Sequence, residues 1–172
     1  MSDHVMVDLE TADNVATSAI VSIGALVFRG PSDGVCFYCA VDLTSSKALG
    51  LTESQDTMAW WARQAPEAQA VFTDPDRKPI LVALAEFYGF VQDLQDPKIW
   101  GNGADFDNAI LQTAYRLAGL HAPWTFWNNR CYRTAMAGVR TPKDRTGTYH
   151  NALDDAKTQA DRLLQYRPGF IQ

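Results

Sequence analysis

The 172-residue sequence predicts an α/β fold, a mixed sheet of three antiparallel strands followed by alternating helices and strands, flanked by helices. Three observations carry this. Val5, Val7 and Leu9 alternate with Met6, Asp8 and Glu10, the period of a strand rather than a helix. Two more strand-like runs follow with only short connections, which implies an antiparallel meander. Beyond residue 57 apolar side chains recur at helical spacing, interrupted by short β-prone runs.

The first strand centres on Val7-Asp8-Leu9-Glu10-Thr11. Residues two apart point the same way in a strand, so Asp8 and Glu10 share a face with Met6. Two carboxylates crowded in low dielectric repel, and a divalent metal between them would answer that. A strand end running into solvent would account for the pair as well.

Asp13-Asn14 and the Ser18 region read as a turn. Residues 19–28 form a second strand, apolar enough to be buried on both faces. Gly30-Pro31-Ser32-Asp33-Gly34 is a hairpin signal, and a third strand runs from Val35 to Leu43. Thr57 to Gln64 is a short helix, and Pro66 opens another, where its missing donor costs nothing. Ile80, Leu81, Leu84, Phe87, Tyr88 and Val91 make an amphipathic helix of the stretch from Pro79 to about Leu94.

Lys98 to Gly101 is a short fourth strand. Asp107 to Leu120 is a helix with Ile110, Leu111, Ala114, Tyr115 and Leu117 as its buried stripe. Trp124 to Trp127 is the candidate fifth strand, and Cys131 to Ala137 a short helix. Arg140, Lys143 and Arg145 mark residues 139–149 as a basic loop. His150 opens the last helix, which ends near Gln165 before Pro168 and Gly169. This order suits a ribonuclease H-like arrangement in a single domain, residues 1–172.

The length is that of one domain with a full core. With 47% hydrophobic and 20% charged residues the composition excludes a disordered chain. No apolar run approaches the ~18 residues that span a bilayer, so no membrane partner is expected. Met1 to His4 lacks the features of a signal peptide, and a cytoplasmic location follows as an expectation. Three cysteines, an odd count, suggest reduced thiols. Cys36 and Cys39 read as buried structural thiols rather than a redox or zinc pair. A net charge of −5 does not advertise nucleic-acid binding. Bound divalent cations would reverse the local sign, which leaves room for a small metal-centred site that takes the end of a strand.

Two other places put acids at element ends. Asn102-Gly103-Ala104-Asp105-Phe106-Asp107-Asn108 precedes a helix, where an aspartate often serves only as a cap. In His150-Asn151-Ala152-Leu153-Asp154-Asp155-Ala156, alanines let the helix approach the sheet, and the two aspartates diverge by about 100°. A histidine five residues before Asp155 can hover over a metal as a general base, since it titrates near neutrality. It reads equally as an exposed turn residue.

Asp8-Leu9-Glu10-Thr11, then Phe106-Asp107, then His150, Ala152 and Asp155 together resemble the DEDDh group of 3′–5′ exonucleases, which includes proofreading exonucleases, ribonuclease T and oligoribonuclease. Thr57, Trp60-Trp61 and Gln64, with Trp100-Gly101-Asn102 and Arg130 to Thr134, look closest to ribonuclease T-like exonucleases of phages and bacteria.

The resemblance implies that Asp8, Glu10, Asp107 and Asp155 bind two Mg²⁺ or Mn²⁺ ions and that His150 is the base. It implies hydrolysis from the 3′ end of single-stranded DNA or RNA to nucleoside 5′-monophosphates. Leu9, Thr11, Trp60 and Phe106 would contact the terminal nucleotide. A homodimer is possible, as relatives are often dimers. Two departures stand out. Asn102 lies five residues before Asp107 where the family has four, which leaves Asp105 as a rival third ligand. Arg133 precedes Thr134 where many relatives carry an aspartate.

Overall fold

Five strands form one sheet in the order β3-β2-β1-β4-β5: β1 (His4–Thr11), β2 (Ile20–Phe28), β3 (Cys36–Ala40), β4 (Lys98–Gly101) and β5 (Asn129–Cys131). The computed structural model describes residues 2–29, 34–103, 105–143, 145 and 147–171. The hairpin signal at 30–33 lies outside the described residues. β1, β2 and β3 form the antiparallel meander, while β4 and β5 join parallel to β1. Asp8 lies opposite Gly24 and Glu10 opposite Ser22, and the register slips between Glu10 and Thr11.

The period of two in β1 sorts its side chains between two cores. Val5, Val7 and Leu9 pack with Ile80, Leu84 and Phe87 of α4 (Ile80–Gln92) and Ile110 and Leu111 of α5 (Asp107–Leu117). Met6 packs with Trp100, Ala156, Ala160 and Leu163 on the opposite face, under α7 (Ala152–Tyr166). Asp8 and Glu10 therefore lie on the α7 side. Both are buried, which removes the reading of a strand end in solvent. β2 is buried along its whole length, as its sequence predicts.

The smaller helices are fixed by local chemistry. α1 (Leu43–Ala48) begins where the sequence suggests the end of the third strand. Its Asp42 cap accepts from Ser45 N at 2.7 Å, and that bond satisfies one of the orphan donors of the first turn. α2 (Gln55–Trp61) is capped by Ser54, and α3 (Pro66–Gln69) carries Pro66 in its first turn. Trp124 to Trp127 is not a strand. Trp124 buries its ring against Phe87 and Tyr115 and donates Nε1–H to Asn129 Oδ1 at 2.8 Å. Phe126–Asn128 is a 3-10 turn, and the strand follows it. α6 is the single turn Tyr132–Ala135. Cys39 is buried as anticipated, but Cys36, at the start of edge strand β3, is exposed. No helix among the described residues is long and apolar enough to cross a membrane.

Candidate active site

The site lies where β1, the start of α5 and the start of α7 meet, and two glycines permit the approach. A Cβ on Gly24 would stand 2.1 Å from the Ala152 carbonyl carbon, so only glycine lets the first turn of α7 rest on β2 beside Asp8. A Cβ on Gly101 would stand 2.3 Å from Asn108 Oδ1 and 3.0 Å from Asp107 Oδ2. That glycine lets α5 start against the end of β4.

Asp107 is the first residue of α5, and its carboxylate turns away from capping. Its Oδ1 accepts from Leu9 N at 3.0 Å and its Oδ2 from Asn102 N at 2.7 Å, tying α5 to β1 and to the end of β4. Asp105 is exposed while Asp107 is only 1% exposed. On α7, Asn151 caps the first turn by accepting from Leu153 N and Asp154 N. The helix period then separates the two aspartates. Asp154 Oδ2 accepts from Thr148 N at 2.8 Å, while Asp155 Oδ1 takes an ion pair from Arg145. One turn after Asp155, Gln159 donates Nε2–H to Asp8 Oδ1 at 2.6 Å.

His150 precedes the helix rather than opening it. Its backbone has φ +60°, a left-handed conformation that non-glycine residues seldom adopt. Its ring packs edge-on to Trp60 and Trp61, at centroid distances of 4.8 and 6.0 Å. Trp61 is core, 2% exposed, with Nε1–H donated to Thr11 O at 2.9 Å. Trp60 stays 36% exposed at the site's edge.

The electrostatics are those of an anionic pocket that calls for a cation. Burial and the Asp107 and Glu10 charges hold the Asp8 carboxyl well above the ordinary range. Burial, then Asp107, pushes Glu10 up to about 8. Burial takes Asp107 to about 6, against the pull of the Asn102 and Leu9 N–H groups and the Arg133 charge. His150 is lowered by burial and by Arg145. Glu10, His150 and Asp155 each present a ligand atom, all within 4.8 Å of one another. Asp8 and Asp107 adjoin this trio: Asp107 Oδ1 accepts from the Leu9 N–H, between Asp8 and Glu10 on β1, and Asp8 Oδ1 accepts from Gln159, one turn along α7 from Asp155. Carboxylates that resist ionising until a cation arrives fit a divalent metal, and the donor set is mostly hard oxygen.

Beside the acids is a cavity of about 510 Å³ lined by Leu9, Thr11, Trp60 and Phe106 together with Asp13, Asn14, Asp56, Thr57 and Arg63. All four residues expected to meet a terminal nucleotide therefore border one space. Sequence reasoning missed Gln159, whose signal is its i+4 spacing from Asp155. It also missed the Arg145–Asp155 pair, which no spacing reveals.

The chain matches the 3′–5′ exoribonuclease Rv2179c-like domain over residues 3–166. It belongs to that family. No match is found among curated proteins.

Solved structures share the exoribonuclease domain's fold at low identity. E. coli exonuclease I in complex with a dA16 oligonucleotide is 14% identical with a TM-score of 0.62, covering 99% of this chain and 42% of that one. The zinc-bound form of the E. coli exonuclease I–ssDNA complex is 12% identical, TM-score 0.63, covering 98% and 41%. The nuclease domain of 3′hExo, a DEDDh family member bound to rAMP, is 13% identical, TM-score 0.55, covering 95% and 92%. The chain thus spans about two fifths of the exonuclease I chain it matches.

Proposed function

We propose that this chain is a metal-dependent exonuclease that removes nucleoside 5′-monophosphates one at a time from the 3′ end of a single strand, with RNA preferred to DNA on the strength of its exoribonuclease family. The observation that supports this most is that buried Asp8, Glu10 and Asp107 and half-buried Asp155 come from three separate parts of the chain to one place, where Glu10 and Asp155 meet His150 and Asp107 meets the backbone of β1 between Asp8 and Glu10. Asp8, Glu10 and Asp155 would hold one divalent ion, with Asp8 also facing a second that Asp107 helps to hold. Mg²⁺ or Mn²⁺ suits such oxygen donors. Divalent ions there would neutralise the phosphodiester and lower the pKa of the attacking water.

The protein's own residues supply the rest. The His150 imidazole, held neutral by its burial and by Arg145, takes the proton from the attacking water. Gln159 keeps Asp8 oriented through Oδ1. In the cavity, Leu9 and Phe106 would flank the terminal base and the Thr11 main-chain N–H would meet the 3′-hydroxyl. Trp60 would stack, a contact worth ~1–3 kcal/mol and tolerant of sequence.

Strands labelled at either end, in RNA and DNA versions with Mn²⁺, test the reading. A 3′ label should leave at once as a mononucleotide, and a 5′-labelled RNA strand should shorten stepwise. EDTA should silence both reactions and excess Mn²⁺ restore them. Internal cuts, loss of the 5′ label first, or turnover in EDTA would each contradict it.

A further inference from the structure

The net charge of −5 conceals a sharp segregation. No Asp or Glu occurs from Asn108 to Lys143, a stretch that carries Arg116, Arg130, Arg133, Arg140 and Lys143. This segment is joined to the catalytic acids at both ends. It begins one residue after Asp107, and beyond it the chain returns to the site at Arg145 and His150. In between it forms β5, the sheet edge, whose Cys131 pairs with Gly101, the residue packed against Asp107.

On the turn leading into β5 are two large exposed aromatics, Phe126 at 69% and Trp127 at 66%. Scattered exposed apolar residues need no explanation. Two adjacent rings packed edge to face at 4.8 Å form a patch instead. The turn bearing them is braced, because Arg130 Nη1 donates to Trp127 O and to Asn129 O, each at 2.9 Å. Arg133 and Arg140 are exposed farther along the same segment. With a rise of ~3.3 Å per residue, Trp127 lies no more than about 13 Å from the Cys131 end of the strand.

We propose that this edge, from the Phe126–Trp127 turn along β5 to Arg133, is a second contact surface for single-stranded nucleic acid, holding the part of the strand that extends away from the scissile phosphate. Trp127 and Phe126 offer π-faces to bases, and Arg133 offers charge to phosphates. Aromatic platforms beside cations are the sequence-tolerant way to hold a single strand. The Asp96 carboxylate beside the turn is already taken up by Asn128 and Lys98, and exposed Arg133 together with continuity with the candidate active site selects a polyanion over an apolar partner. The inference rests on the nucleic-acid reading above and extends it from the terminal nucleotide to the rest of the strand.

The test is fluorescence anisotropy with 5′-labelled, phosphorothioate-linked single strands, one of a dozen nucleotides and one of two. Wild type is compared with Trp127→Ala and Arg133→Gln, both at exposed positions that do not threaten folding. Trp127→Ala should weaken the long strand about five- to 150-fold and leave the short one unchanged. Arg133→Gln should flatten the dependence of log K on log salt by about 0.7 for the long strand.

Equal long-strand affinity in wild type and Trp127→Ala overturns the proposal. So does a wild-type dimer that dissociates in Trp127→Ala with strand affinity intact, which would give this surface to a second copy of the chain. The end-label assay separates the two readings. Stepwise shortening with no effect of Trp127→Ala on binding sinks only this inference, whereas Trp127-dependent binding without shortening sinks only the exonuclease mechanism.

Discussion

Asp107 ties the fold together and, in the proposed reaction, also faces a cation. Its two oxygens take main-chain N–H groups from Leu9 and Asn102, which fixes the carboxylate while lone pairs remain for a cation. Asp105, two residues earlier, is exposed, so the one-residue departure from the family spacing is absorbed before the helix rather than in it. His150 is held over the site by Trp60 and Trp61. Replacing it with alanine should lower kcat by about 10²–10⁴ while Mn²⁺ binding persists, measured by single-turnover kinetics. Full activity would remove it as the base.

The same residues set a pH dependence. Glu10 rises from an ordinary 4.5 to about 8 in the fold, and Asp107 from 3.8 to about 6. Between those limits the folded state binds more protons than the unfolded chain, so stability falls as pH rises. That contribution is complete below about pH 4 and is lost as pH climbs through about 8. In EDTA the thermal midpoint should therefore decline over this range, and Mn²⁺ should restore it at the alkaline end. A midpoint that climbs with pH in EDTA would contradict these shifts.

At the scale of elements, the site depends on how closely α7 approaches β2. Gly24→Ala places a methyl on the Ala152 backbone, and such overpacking costs ~1–3 kcal/mol. Thermal unfolding should show that loss together with reduced activity. Gly89→Ala, inside α4 where nothing lies within 4 Å, should instead be neutral or stabilising by ~0.5–1 kcal/mol. β1, α5 and α7 were legible in the sequence because their apolar positions repeat with periods of two and 3.6, although Leu117, read into the buried stripe of α5, is exposed. β5 was not, because Trp124 to Trp127 has the composition of a strand while its rings serve other ends. Trp124 fills the α4–α5 core, and Phe126 and Trp127 face outward. α1 escaped notice because Thr44-Ser45-Ser46 has low helix propensity and depends on the Asp42 cap and the burial of Ser46.

At the scale of the molecule, the fold gathers carboxylates from β1, α5 and α7, and the chain between Asp107 and the start of α7 runs through residues 108–143 without an acid. The motifs in order made the first half of that arrangement readable. The Gln159–Asp8 contact, spanning 151 residues, and the Arg145–Asp155 pair depend on tertiary contact, so neither pairing can be read locally even though i+4 spacing puts Gln159 on the Asp155 face of the helix. The central claim is that these separated acids share divalent ions, and calorimetric titration with Mn²⁺ tests it without reference to substrate. Two ions should bind per chain in wild type and in Asp105→Asn, and fewer in Asp107→Asn and Asp155→Asn. An Asp107→Asn protein that takes up Mn²⁺ as the wild type does would contradict the account.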